Sequence, residues 1–208
     1  MCLGRAAQLE AVSRIVLAPT MLALRWMMRP TTEDEQFRLT EAISVLEATP
    51  GVLHSLLGGL PGVWLDFSED PDAWSPRTVL VHFVHNEQTN WMPRARVILS
   101  DTEVRRFPPF RQLPEESTFE GLTIGQLLRE FEDLREENLS ALRSLDLQPD
   151  DFAREAEHPV LGIVNLRELL ATWVVHDLNH LHQIAKSMAK RYRGSVGPWR
   201  PNLALLDL

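Results

Sequence analysis

The sequence predicts an all-α protein built as a four-helix bundle, with a long loop between its second and third helices. Helix-start signals recur along the 208 residues, and no stretch reads as a convincing strand. The last of the expected helices also places its apolar residues on one face at the helical period. Composition agrees: 44% hydrophobic and 24% charged, without repeats, is that of an ordinary globular domain with a substantial core.

Residues 1–30 are expected to be an N-terminal extension that packs poorly or is disordered, ahead of a bundle domain over 31–208. Its apolar run, 15–28, is broken by Pro19 and Arg25. That run falls short of the roughly 20 residues that span a bilayer. Glu10 and the lack of a small-residue cleavage site after Met28 argue against a signal peptide. A translation start at Met27 or Met28 fits the same extension.

Thr32-Glu33-Asp34-Glu35 has the form of a capping box and opens a first helix over 33–48. Thr49 and Pro50 restart it, since Thr caps and Pro is favoured at the first helical position. The piece 50–57 is then kinked or separate, and Gly58-Gly59 ends it. A loop carrying Trp64 and Trp74 leads to Ser75-Pro76, which opens helix two, running to about Leu99. Residues 100–121, with Pro108, Pro109 and Pro114, form the long loop, expected to act as a lid or dimer contact or to be mobile. Thr123 and Gln126 form the capping box of helix three, through Leu145; Asn165 and Glu168 open helix four, ending near Gly194. The tail from Val196 is apolar enough to lie back on the body.

A net charge of −8 lacks the cationic footprint that phosphate backbones require, which excludes general nucleic-acid binding. Cys2 is the single cysteine, so no disulfide framework or cysteine-rich zinc site exists, and a reducing cytoplasm is the expected compartment. A transition-metal site has to be built from histidine and carboxylate.

Helix four carries His176 and His180, four residues apart and therefore on one face. At about 100° per residue, His180 lies roughly 40° from His176, and Gln183 roughly 20° to the other side. Both histidines sit at the margin of the apolar stripe. His182 falls on the solvent face and is excluded. Asp177 lies over the apolar arc, suited either to orienting an imidazole or to a helix–helix hydrogen bond. A histidine pair with this spacing is by itself most often a pair of hydrogen-bonded core-edge residues. The Glu of a metalloprotease motif is absent, because position 177 is Asp. Helix two supplies a partner: His82 and His85 lie in the apolar run VLVHFVHNE, where an imidazole is costly unless its nitrogens are satisfied. Spacing does not choose between them. His54 and His158 are expected at the surface, and Trp91 and Trp173 in the core.

The segments WSPRTVLVHFVHNE and GIVNLRELLATWVVHDLNHLHQIA, in this order, resemble the DinB-like, or YfiT-like, superfamily, which is unrelated to the DNA polymerase sharing the DinB name. The resemblance spans about Glu35 to the C-terminus. It implies a four-helix bundle holding one divalent metal by His82, His176 and His180, which selects His82 over His85. Glu87, Asp177 and Gln183 are then the polar candidates to orient imidazoles or touch a bound water. Three nitrogen ligands suit Zn²⁺ best, with Ni²⁺ or Fe²⁺ as alternatives. Three protein ligands with one open position is the catalytic rather than the structural arrangement of zinc.

The family includes thiol-dependent S-transferases and a mycothiol-dependent isomerase. The leading expectation is a metal-dependent transferase using a low-molecular-weight thiol cosubstrate on a small-molecule substrate. A metal-dependent hydrolase and a non-catalytic, stress-associated metal-binding or dimerisation module are the alternatives. By the same analogy the protein is expected to be a homodimer.

Overall fold

The structure is a computed structural model; residues 37–70 and 72–206 are described below. The expectations for residues 1–30 and the capping box at Thr32 lie outside the described residues. The elements are α1 (Leu39–Leu57), α2 (Gly62–Leu65), α3 (Pro76–Thr89), α4 (Trp91–Leu99), α5 (Ile124–Ser144), β1 (Glu155–His158), β2 (Gly162–Asn165) and α6 (Leu166–Lys190), with short 3₁₀ turns between and after them. The bundle consists of α1, the α3–α4 pair, α5 and α6. Both α5 and α6 pack against α1 and against α3.

Three helix starts form as the sequence predicts. Ser75 accepts from the Thr78 amide with Pro76 behind it, and complete capping boxes close at Thr123/Gln126 and Asn165/Glu168. The first helix differs from expectation. It begins at Leu39, and Thr49-Pro50 does not restart it, because α1 runs unbroken through Pro50 to Leu57. Proline inside a helix has no N–H for the carbonyl four residues back. Here that carbonyl, Leu46 O, accepts from Arg135 Nη1 at 2.8 Å instead, so the lost bond is replaced across the bundle. Helix two is divided at Asn90, where φ −108° and ψ −71° part α3 from α4. Pro93 accounts for the break: it cannot bond the Thr89 carbonyl and its ring crowds it.

The expectation that no strand would form is also corrected. Glu155–His158 and Gly162–Asn165 pair as an antiparallel hairpin, with Gly162 at φ 82° in the turn. Four-residue strands are too short to show an alternation. The long loop 100–121 lies against this hairpin: the Phe107 amide donates to Glu157 O and the Glu157 amide to Arg105 O. It is a strap held in place. Of the tail, Leu206 is buried, while Trp199 remains exposed.

The core has two apolar layers separated by a polar waist. One is built around Ile43, Leu46, Met92, Leu139, Leu170 and Trp173, the other around Leu53, Leu80, Phe83, Leu128, Phe131 and Ile184. Each fully buried side chain of this kind contributes roughly 1.5–3 kcal/mol. Between the layers every main helix offers buried polar residues: Thr49 on α1, His82, Asn86 and Glu87 on α3, Arg135 on α5 and Asp177 on α6.

Candidate metal centre

The waist holds two clusters. In the first, Arg135 joins two carboxylates that are themselves fully buried. Its Nη1 donates to Asp177 Oδ2 at 2.7 Å and its Nη2 to Glu87 Oε1 at 2.8 Å. Glu87 also accepts from Trp173 Nε1 and Asn138 Nδ2. All its partners are obligate donors, which suits the ionised form. Burial pushes the Glu87 carboxyl above its ordinary value, with Arg135 opposing. Burial pushes Asp177 the same way, but there the His176 ring and Arg135 outweigh it and hold the carboxyl low. Despite its burial, Arg135 is held above its usual range by the two carboxylates.

In the second cluster, His82 on α3 meets His176 and His180 on α6, and one nitrogen from each lies within 4.8 Å of the others. His82 Nε2 and His176 Nε2 are 3.0 Å apart. In a tetrahedral site with Zn–N near 2.0–2.1 Å, two donors lie about 3.3 Å apart, so the spacing matches that of two ligands on one ion. The tautomers agree with this reading. His82 Nδ1 donates to Gln112 O of the strap at 2.5 Å, and His180 Nδ1 donates to Gln183 Oε1 at 2.7 Å. In both rings the N–H is thereby committed and Nε2 keeps its lone pair. Asn86 Nδ2 donates to that lone pair of His82 at 3.0 Å, a bond that an ion at Nε2 would replace. His176 Nδ1 is buried without a hydrogen bond, and Asp177 Oδ1 faces it at 3.7 Å. Trp74, Phe83 and Trp91 enclose the triad, with Trp91 edge-on to His176 at 4.9 Å. Burial is the main reason that the His82 pKa falls to about 3 and that of His180 to about 4, so both stay neutral donors at physiological pH.

Of the residues singled out from sequence, the three histidines and Gln183 come together. Glu87 and Asp177 turn to Arg135, although Asp177 also borders His176. His85 points away, its Nε2 on Arg111 O and its ring stacked on Phe110; His182 is exposed. His158 is partly buried at the cavity wall rather than at the surface. Sequence reasoning missed Arg135, although it occupies the 127–131–135–139 face of α5 whose other members are buried apolar residues. It also missed Gln112, whose contribution is a backbone carbonyl and leaves no side-chain signal. The triad opens onto a cavity of about 750 Å³. That lies within the roughly 300–1,000 Å³ of small-molecule sites.

Fold and site together define a helical bundle with a histidine triad at its waist. The chain belongs to the DinB superfamily, whose family model matches residues 45–184. Among solved structures it is similar to YfiT from Bacillus subtilis, described as a probable metal-dependent hydrolase with an unusual four-helix bundle topology. The two share 20% identity with a TM-score of 0.60 over 80% of this chain and 92% of that one. No curated protein sequence matches significantly.

Proposed function

We propose that the protein is a metal-dependent enzyme that activates a low-molecular-weight thiol for transfer to a small electrophilic substrate. His82, His176 and His180 would hold the ion, Zn²⁺ best and Ni²⁺ or Fe²⁺ as alternatives, by their Nε2 atoms. Bound there, a divalent cation lowers the pKa of a thiol or water at its open position. The thiol proton leaves to solvent; the sulfur forms a bond to the electrophilic carbon, and the leaving group departs with its electron pair. Gln112 O and Gln183 keep two of the imidazoles in the ligating tautomer.

The observation that carries the thiol reading is where the carboxylates lie. The same cation acidifies a bound water, so what separates the two readings is assistance: hydrolysis draws on a carboxylate near the ion, and attack by a thiolate does not. Glu87 and Asp177, the carboxylates closest in sequence to the triad, are both sequestered by Arg135; of those lining the cavity, Glu69 pairs with Lys190 and Arg193, Glu168 is engaged in the α6 cap, and Asp72 is exposed. Hydrolysis is the second reading, favoured by the likeness to YfiT. A homodimer belongs to this proposal too, with exposed Val160, Leu161 and Ile163 on the hairpin and Val175 and Leu178 on α6 as available apolar surface. None of the helices among the described residues is long and apolar enough to cross a membrane.

Metal content of wild type against His176→Ala tests the centre; a metal-free wild type with a well-ordered bundle overturns it. Consumption of a panel of small thiols in the presence of an electrophile tests the transfer. Ester or amide hydrolysis without thiol consumption would replace it by the second reading.

A further inference from the structure

The cavity beside the triad has a second polar end. Arg94 lies on α4 three residues beyond Trp91, hence on the same face and about 4.5 Å further along the helix axis. It lines the cavity with its guanidinium over two strap rings, 4.9 Å from the Phe107 centroid and 5.2 Å from that of Phe110. No carboxylate pairs with it among the described residues, and burial alone lowers its pKa, with no anion to offset that. Of the two lysines that line the cavity, both in the last turns of α6, Lys190 is paired with Glu69 and Lys186 lies four residues before it.

His158, in the hairpin, lines the same cavity. Its Nδ1 accepts from the amides of Val160 and Leu161, both at 3.1 Å, so that nitrogen carries no proton and Nε2–H is the donor. Burial and the nearby Arg94 both lower its pKa, which keeps the ring neutral. A half-buried guanidinium and an imidazole N–H thus line one cavity, and no carboxylate is paired with either. Both donors are open to the cavity, and an oxyanion there can accept from the guanidinium through charge-assisted bonds that a neutral ligand does not make. The cavity wall also carries apolar side chains, among them Trp91, Leu161 and Val164.

We propose that Arg94 and His158 form the anion-recognising end of the cavity, selecting substrates that carry a carboxylate or phosphate at one end of an apolar body. This rests on the reading of the cavity as a substrate site, and it orients the other end of the substrate toward the triad.

The test titrates phenylphosphate, benzoate and the neutral benzyl alcohol into the full-length protein, in metal-free and zinc-loaded form, following heat and the Arg94 Nε–H resonance. In metal-free wild type both anions should bind about tenfold or more tightly than the alcohol, the margin a charged hydrogen bond provides. Arg94→Met, which retains the apolar contact with Phe107 and Phe110, should lose that margin. Arg96→Met, a charge loss on the exposed face of the same helix, should keep it. The tighter of the two anions names the class. Equal binding of anions and alcohol overturns the proposal, as does anion binding that survives Arg94→Met or appears only with zinc. Should Arg94→Met not fold, an Arg94 Nε–H resonance that ignores both anions in wild type is equally decisive against it. Because the metal-free arm needs no ion, a protein that never takes up zinc defeats the metal reading without touching this one.

Discussion

His176 and Asp177 are neighbours on α6, yet they belong to two different kinds of polar cluster. Asp177, with Glu87 and Arg135, forms a network in which both carboxylates and both terminal guanidinium nitrogens are bonded, deep between two apolar layers. His176, with His82 and His180, forms a group whose nitrogens converge on one point and open onto a cavity. The first is closed except for Arg135 Nε, which is buried without a partner; the second could hold a metal ion. Burial of charge alone therefore does not locate function. What distinguishes a site from a structural network is coordinating capacity left over after internal partners are counted.

The largest way to break this contrast is Arg135→Met. It leaves two buried carboxylates without their counterion and is expected to cost roughly 3–5 kcal/mol. Denaturant unfolding measures this, and metal bound per folded chain should stay at the wild-type level. If the two clusters are separate, the opposite pattern appears in His82→Ala. That variant stays folded but loses more metal affinity than the roughly 10–100-fold that an outer-partner mutation removes. Gln183→Leu strips His180 of its Nδ1 partner and is such an outer-partner change, so chelator competition should show a loss of about 10–100-fold.

Acidification sharpens the comparison without mutation. His82 and His180 have folded pKa values of about 3 and about 4, below the 6.5 of the unfolded chain. The unfolded state of the metal-free protein therefore binds more protons below about pH 6.5. The stability these rings allow is fully present above that pH and is lost as pH falls through about 4 toward about 3. Melting temperatures of the metal-free protein across this window should decline, and His82→Leu should flatten the decline. The smallest effect is expected from Pro50→Ala. The restored N–H finds Leu46 O already accepting from Arg135, and a carbonyl oxygen has a second lone pair, so thermal stability should change by less than about 1 kcal/mol.

Much of the fold was legible because its signals are local. Ser75-Pro76, Thr123/Gln126 and Asn165/Glu168 cap helices through residues within three positions of one another. The HisxxxHis pair lies on one face by helical geometry alone. Short-range rules failed where a distant partner decides. Pro50 reads as a break until Arg135 takes the carbonyl it frees. The hairpin at 155–165 has strands too short to carry a period, and its pairing with the strap is a tertiary event.

By itself, the sequence determined that four helical regions form, the caps at Ser75, Thr123 and Asn165, the inward face of α6 with its His176/His180 pair, and that a metal site would rest on histidine. Periodicity and capping act over one or two turns and need no fold to be read. Only the tertiary structure decided that Glu87 and Asp177 would serve Arg135, that the strap would lend a carbonyl to His82, and that Arg94 and His158 would face one cavity. Those choices depend on which helices become neighbours and at what register, and groups 30 to 90 residues apart carry no mark of that in the linear chain.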